Sequence, residues 1–263
     1  MIHSAHVIGM GRLGRHLANR LEALDISVTR WSRTAGPGTA SMEGWHSAAD
    51  ADAAFLAVPD GAIAEVAAQA AKQLSPETLM VHHAGAVPLS VLPVKEDWRA
   101  VMWPPMTFGT DNIPDWNTLP MGVESPHPRW REWAKKIAPN AFELTAENRP
   151  KLHLGAVLSG NLTAAWIGAV EALLKAHDLP ISVLSPLIEE SVNKALNGNA
   201  LKSVSGPATR NDRATLEQQV TALHNAGGEH PELGQLHRIL TNLILQHHGH
   251  PPLPPIQTTP GPH

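Results

Sequence analysis

The segment VIGMGRLGRHLANRL constrains the fold of this chain more than any other stretch of it. Its three glycines follow an apolar run and open a segment with helical spacing. In a strand, turn and helix of this kind, the first glycine allows a tight turn, the second lets a pyrophosphate approach the backbone, and the third brings helix and strand together. The motif predicts a dinucleotide site made of Gly9, Met10, Gly11, Arg12, Leu13 and Gly14. The alternative is a glycine-rich turn that binds no ligand.

The pattern of apolar residues changes once along the chain. Short apolar runs alternate with helical patterns in the first half, which predicts a mostly parallel sheet covered by crossover helices. The predicted strands cover residues 6–9, 26–31, 53–58, 79–83 and 100–103, with later ones at 120–124 and 141–144. Beyond residue 147 the pattern is purely helical. We therefore predict an α/β Rossmann domain at 1–147, an all-α domain at 148–249, and a disordered tail rich in Pro and His at 250–263.

Composition excludes several classes of function. The net charge of −4 offers no broad positive field, so neither nucleic acid nor a membrane surface is an expected partner. Without Cys or Tyr, the chain has no disulfide, no thiolate nucleophile and no tyrosine acid of the short-chain reductase type. The chain has no uninterrupted apolar run of membrane-spanning length and no secretory start, so we expect a cytoplasmic protein. Its 16 His show no paired ligand spacing, and no metal site is expected.

The end of the second predicted strand indicates which dinucleotide binds. An acidic residue there would suit the ribose hydroxyls of NAD, but the chain reads Trp31, Ser32, Arg33 and Thr34. Arg33 offers a fork of donors and its neighbours offer hydroxyls, which favours the 2′-phosphate of NADP. The alternative is that this arginine is a solvated charge. Trp31 either stacks on adenine or belongs to the core.

Two further strand ends are expected to border the cofactor. Val58 and Pro59 end the strand at 53–58, on the sheet edge where open α/β folds bind ligands. His83 ends the next strand, beside the expected position of the nicotinamide.

The chain resembles a group of bacterial proteins with a Rossmann-like N-terminal domain and an uncharacterised helical C-terminal domain, grouped as candidate NADP oxidoreductases. The resemblance extends from residue 7 to about residue 245. It is carried by VIGMGRLG, AVPDGAI, HHAGAV, WPPMTF, HLGAVLSGNL, SPLIEESVNKA and SGPATRNDRATLEQQ. More distantly, the architecture is similar to pyrroline-5-carboxylate reductase and the β-hydroxyacid dehydrogenases. That similarity implies a homodimer formed through the helical domain, and a small-molecule substrate between the nicotinamide and the long helix.

Two loops depart from the pattern of this group. The group tends to have His-x-Ser-Gly after the fifth strand, where this chain has Ala84 in place of the hydroxyl residue. The group also tends to have His-Pro-x-Gln-Thr-Phe, where this chain has Trp103 and Met106 in place of two polar residues. A more apolar pocket fits either a less polar substrate or a protein that binds the cofactor without catalysis.

Candidate catalytic residues follow from what hydride transfer needs, which is a proton donor and a few hydrogen-bond donors around the acceptor. His153 is the candidate general acid, since His titrates near neutral pH. Asn161 lies about 800° further along the predicted helix, on nearly the same face, and would orient the substrate. The remaining candidate substrate residues are Ser159, Trp103, Thr107, Arg210 and Asp212. Arg210 would bind a substrate carboxylate and Asp212 would hold that arginine, or the two would form an ion pair within their loop.

These observations support two hypotheses about function. The first is an NADP-dependent oxidoreductase that transfers hydride to or from a small carbonyl, imine or hydroxy-acid compound. The second is a non-catalytic NADP-binding sensor or scaffold protein.

Overall fold

The structure is a computed structural model that describes residues 2–47, 50–108, 114–225 and 232–254. Eight strands within these ranges form one sheet in the order β3-β2-β1-β4-β5-β6-β7-β8. The strands are β1 Ser4–Ile8, β2 Ser27–Ser32, β3 Ala40–Ser41, β4 Ala53–Leu56, β5 Leu79–His82, β6 Arg99–Trp103, β7 Met121–Glu124 and β8 Ala141–Glu143. Neighbouring strands are parallel except β6 and β7, which pair antiparallel.

Helices cover both faces of this sheet. They are α1 Arg12–Glu22, α2 Ile63–Ala71 and α3 Trp130–Ile137, with short 3-10 turns at Met42–Ser47, Asp60–Ala62, Leu89–Val91 and Glu96–Trp98. One buried cluster includes Leu17 of α1 and Trp130 of α3, and the other includes Ile63 of α2 and Trp45. All four residues of β4 and of β5 are buried, as expected for central parallel strands covered on both sides.

The α/β Rossmann fold predicted from the sequence is confirmed. Each strand predicted from an apolar run is present, with ends that move by no more than a few residues. The sequence did not predict β3, because two residues carry no readable periodicity. The carboxyl ends of β1, β2, β4, β5 and β6 lie along one edge of the sheet, where the candidate site is located.

Three consecutive helical segments follow the sheet: α4 Asn148–Ala156, a π-helical segment Val157–Asn161, and α5 Leu162–Lys175. The run Asn148–Lys175 is long and apolar enough to cross a membrane, since an 18-residue stretch of it has a mean hydropathy of 1.4. None of that stretch is buried. A helix of a soluble protein that is covered in an assembly meets the same criterion.

The chain divides into two compact units, Met1–Asn161 and Leu162–His263. The division falls later than the predicted boundary at residue 147, so α4 belongs to the first unit. The reason is physical: Arg149 of α4 is buried and bonded to the sheet.

The second unit is entirely helical in its described residues. It contains α5, a 3-10 turn Ile181–Leu184, α6 Ser185–Leu196, α7 Ala200–Ser203, α8 Arg213–Asn225 and α9 Leu233–His247. Its small buried cluster consists of Ala208, Leu216, Leu245 and Leu253.

The prediction of a tail disordered from residue 250 is wrong for its first residues. Leu253 is buried, and its backbone N–H donates to Asn242 Oδ1 at 2.7 Å. The backbone N–H of His250 donates to the carbonyl of Leu245 at 2.8 Å, and Arg213 donates to the carbonyl of Pro251. The buried side chain of Leu253 therefore anchors residues 250–254 to the second unit. Residues 255–263 lie outside the described part of the chain.

Candidate functional site

The loop between β1 and α1 has the geometry that its glycines predict. Gly9 has a φ of +102°, and its N–H donates to the carbonyl of Trp31 at 2.8 Å. A Cβ on Gly9 would lie 2.4 Å from the carbonyl oxygen of Ala57, and one on Gly14 would lie 1.8 Å from that of Gly9. Neither position can hold a side chain, because strand, loop and helix are in backbone contact.

Gly11 is different, because a Cβ there would meet nothing within 4 Å. It is the N-cap of α1, no side chain caps the helix, and the first turn contains no acidic residue. The free N–H groups and the positive end of the helix dipole thus border open space. This cradle fits a pyrophosphate, which needs backbone donors and room to approach them.

The other residues of this loop are placed in different ways. Met10 and Leu13 pack partly against the core, so only their backbone can serve a cofactor. Arg12 is exposed, and its Nη1 donates to the carbonyl of Phe108 at 3.4 Å. Val58 lies beside the loop, since its Cγ1 is 3.0 Å from the Cβ position of Gly9, and Pro59 next to it is exposed.

The end of β2 presents donors and no acid. Ser32 and Thr34 are bonded to each other, because the Ser32 hydroxyl donates to the Thr34 carbonyl and accepts from the Thr34 N–H. Arg33 is exposed, and its guanidinium has no partner among the described residues. Arg30 pairs with Glu22 of α1 at 2.6 Å, so it is not available to a ligand. Arg33 is therefore the cation that could receive a 2′-phosphate at this edge.

Trp31 belongs to the core. Its side chain is buried, and its Nε1 donates to Nδ1 of His6 at 3.0 Å. Its ring meets Trp45 edge-on with centroids 4.6 Å apart. Of the two interpretations of Trp31 drawn from the sequence, the structure supports packing.

Two adjacent histidines close β5, and both are held neutral. Burial, with smaller contributions from the charges of His83 and Arg149, lowers the pKa of His82 to about 3. Burial lowers the pKa of His83 to about 4, although its Nδ1 donates to the carbonyl of Met102 at 2.6 Å, which acts in the opposite direction. The Nε2 atoms of both rings are buried without a partner in the described part of the chain. Neither ring is suited to carry a proton at neutral pH.

His153 lies against the loop that follows His82 and His83. A Cβ on Gly85 would be 2.5 Å from Nδ1 of His153 and 2.8 Å from Cε2 of Trp103. The rings of His153 and Trp103 meet edge-on, with centroids 5.5 Å apart. Nδ1 of His153 is buried without a partner in the described residues, so this ring has hydrogen-bonding capacity that the protein itself does not use. The structure thus brings together two of the predicted site residues, His153 and Trp103.

The π-helical segment changes the register of the predicted helix face. Bonds from i to i+5 give about 82° per residue, so the path from His153 to Asn161 is roughly 730° rather than 800°. That is close to two full turns, and the two residues share a face more closely than an α-helix allows. Ser159 lies within the segment, and its hydroxyl donates to the carbonyl of Gly155 at 2.8 Å. The exposed side chain of Asn161, by contrast, forms no hydrogen bond with the residues that the structure describes.

Of the two predicted substrate residues of the second unit, Asp212 has a local role. Asp212 accepts from the N–H of Thr215 at 3.2 Å and from its hydroxyl at 2.7 Å, which caps the start of α8. These bonds hold the pKa of Asp212 below its usual range. Arg210 is exposed and forms no ion pair with Asp212, so the ion pair proposed for this loop does not form. Thr107, in the first unit, is exposed.

Sequence reasoning missed Arg149 and Gly85. Arg149 is 2% exposed and pairs with Glu124, and its Nη1 donates to the carbonyls of Ala84, Gly85 and Val87. No local signal marks a single Arg in a helix as buried. Gly85 could have been noticed as the glycine of the HHAG loop. No group of three or more metal-binding side chains occurs among the described residues.

Comparison with known proteins shows which folds and families the chain is similar to. Residues 120–244 match the family described as Domain of unknown function (DUF2520), which is just under half of the chain. No curated protein matches the sequence. The expected resemblance to Rossmann proteins with an uncharacterised helical C-terminal domain is confirmed by this match and by the solved structures.

Three solved structures illustrate the likeness. A Bacteroides fragilis protein named as a candidate NADP oxidoreductase is 25% identical, with a TM-score of 0.77 over 93% of this chain and 98% of that one. A Thermotoga maritima protein is 18% identical, with a TM-score of 0.67 over 93% and 98% of the two chains. An imine reductase from Myxococcus stipitatus, solved with NADP+, is 13% identical, with a TM-score of 0.58 over 92% of each chain.

Proposed function

We propose that this chain binds NADP and is an oxidoreductase that transfers hydride to or from a small carbonyl, imine or hydroxy-acid compound. The observation that carries the proposal is the cradle at Gly11, where an uncapped helix start borders open space between two glycines that cannot hold a side chain. The names of the structural neighbours, an NADP oxidoreductase candidate and an imine reductase, support the same class of reaction.

The end of β2 supports NADP rather than NAD as the proposed cofactor. The 2′-phosphate would meet Arg33, whose guanidinium has no competing partner among the described residues, and the hydroxyl of Thr34. The Ser32 hydroxyl would bind the phosphate in exchange for its bond to the Thr34 carbonyl. No carboxylate stands at these positions to bind a free ribose hydroxyl or repel the phosphate. The pyrophosphate would lie on the backbone N–H groups of residues 11–14.

The chain's own residues would prepare the reaction in three ways. When bound, the nicotinamide supplies or accepts the hydride. His153 would exchange a proton with the substrate, since its ring faces the loop after β5 with Nδ1 unbonded. Asn161, on the same helix face, would orient the substrate, and Trp103 would exclude water beside the reacting atoms. Thr107, in the same unit as His153, remains a candidate for the substrate's polar groups. The role of Arg210 in binding a substrate carboxylate stays a prediction.

Calorimetric titration with NADPH and NADH tests the cofactor assignment. We expect tighter binding of NADPH, and Arg33→Ala should reduce that preference by about 10-fold, because it removes a charge-assisted contact to phosphate. The matched control is Arg30→Ala, on the same strand but paired with Glu22 of α1. Equal affinities for the two dinucleotides in the wild-type protein would contradict the role of Arg33.

A second function, NADP binding without turnover, is favoured by one observation. Ala84 and Trp103 border the site where the related group tends to have polar side chains. NADPH oxidation with imines, keto acids and aldehydes separates the two functions. Turnover that disappears in His153→Ala, with NADPH affinity retained, supports the enzyme, whereas binding without turnover across these classes supports a sensor or scaffold.

The second unit carries an apolar surface that we propose is covered by a second copy of the chain. Exposed side chains on its helices include Leu162 at 52%, Leu187 at 60%, Leu196 at 79% and Ile239 at 64%. A surface of this kind on a single chain marks an interaction site. Light scattering after size exclusion should give the mass of a dimer. A monomer at micromolar concentration, or flotation with lipid vesicles, would contradict the proposal.

A further inference from the structure

Arg149 carries a charge and is buried, and burial of a charge costs free energy because the charge loses its hydration. It is the second residue of α4, and its side chain is 2% exposed. Its Nε donates to Oε2 of Glu124 at the end of β7 over 2.8 Å, and the Glu124 side chain is 11% exposed. A buried ion pair of this kind gains little stability over an apolar pair of similar volume, since both ions lose their hydration. A contribution to stability alone therefore does not explain the ion pair between Arg149 and Glu124.

The same guanidinium also binds the loop that follows β5. Its Nη1 lies 3.2 Å from the carbonyl oxygen of Ala84, 2.9 Å from that of Gly85 and 2.7 Å from that of Val87. A planar fork of fixed donors joins β7, this loop and α4 at one point. A lysine could not replace it, because an ammonium cannot reach the carboxylate and the carbonyls in the same geometry.

His153 is one helical turn beyond Arg149, on the same face of α4. Arg149 binds the carbonyl of Gly85, while the ring of His153 packs on the α-carbon of that glycine. Both contacts depend on the same few atoms of the loop. Arg149 and the His153 ring therefore contact the same residue of the loop, Gly85.

We propose that Arg149, held by Glu124, is a positioning residue that fixes the loop 84–87 against α4, so that His153 sits where the reaction needs it. The pair acts through His153 and the loop, and it need not touch cofactor or substrate. This inference rests on the proposed function for its catalytic consequence, but the positioning of the His153 ring can be measured without activity.

The variants are Arg149→Lys, which keeps the charge but loses the fork, and Glu124→Gln, which keeps an oxygen acceptor. The matched control is Arg131→Met, because Arg131 pairs at 2.9 Å, in an exposed site, with Glu143 of β8, the strand that neighbours β7. We expect Arg149→Lys to lower kcat about 100-fold through displacement of His153, while KM and NADPH affinity change less than threefold. Glu124→Gln should lower kcat less, and Arg131→Met should not change it. Added guanidinium should restore part of the kcat of Arg149→Ala.

NMR of the histidine rings supplies the readout that does not depend on turnover. The His153 signal is assigned by its loss in His153→Asn. It should shift in Arg149→Lys and Glu124→Gln and stay in place in Arg131→Met. A folded Arg149→Lys protein with an unmoved His153 signal, or with wild-type kcat, overturns the positioning role. If wild-type protein lacks turnover, the proposed function fails, and the NMR comparison still decides the positioning.

Discussion

Acidification should destabilise the fold through the two histidines that end β5. In the folded chain the pKa is about 3 for His82 and about 4 for His83, against a usual value of 6.5. Between pH 6.5 and these values the unfolded chain binds protons that the folded chain does not, so stability is present above pH 6.5 and is lost as the pH falls. From pH 7.5 to pH 5.0 each ring should remove about 2 kcal/mol, or about 4 kcal/mol together.

Urea denaturation at both pH values measures this loss against two variants that conserve one hydrogen bond each. His83→Asn keeps an N–H that can donate to the carbonyl of Met102, and His82→Asn keeps an oxygen that can accept from the N–H of Ala84. Each variant should lose about 2 kcal/mol less than wild type on acidification, because one titrating group is gone. Identical pH dependence in wild type and both variants would refute the burial of these rings.

Four substitutions test the packing around the site and the anchored tail. Gly14→Ala should lower Tm by several degrees, because its Cβ would lie 1.8 Å from a backbone carbonyl, whereas Gly11→Ala should keep Tm and weaken NADPH binding at least 10-fold. Thermal melts and calorimetry separate these two effects, and a stable Gly14→Ala would contradict the contact. Gly85→Ala should displace the His153 ring by about 1 Å and reduce kcat about 100-fold with little change in NADPH affinity, as measured by steady-state kinetics. Leu253→Ala should cost about 2–3 kcal/mol in urea denaturation, since it empties a buried site in the second unit. No change there would show that the residues after α9 are not anchored.

The parts of the fold that could be predicted are those encoded by neighbouring residues. The glycines of the first loop are fixed by contacts within one strand, turn and helix, so their spacing alone indicates the geometry. The central strands β4 and β5 are buried on both faces and read as continuous apolar runs. The exposed position of Arg33 directly after β2 could be predicted because a position at a strand end follows from the strand, and its role in binding a 2′-phosphate stays a prediction.

The parts that could not be predicted depend on distant residues or on small changes of the backbone. Arg149 reads as a solvated helix residue, because arginine is rarely buried, and its partners lie 25 to 65 positions away in the sequence. The π-helical segment Val157–Asn161 has no local signature, yet it decides which side chains share a face with His153. The docking of Leu253 was hidden by the prolines around it, which suggest an extended chain.

The packing of Trp31 gives the protein a built-in optical reporter. Its carbonyl receives the N–H of Gly9, while its indole lies in the core beside Trp45 and His6. An indole emitter thus sits directly beneath the loop to which a reduced nicotinamide dinucleotide would bind, within range of energy transfer to that chromophore. The intrinsic emission of the unlabelled chain should fall as the loop fills, and occupancy could be followed in real time without any dye.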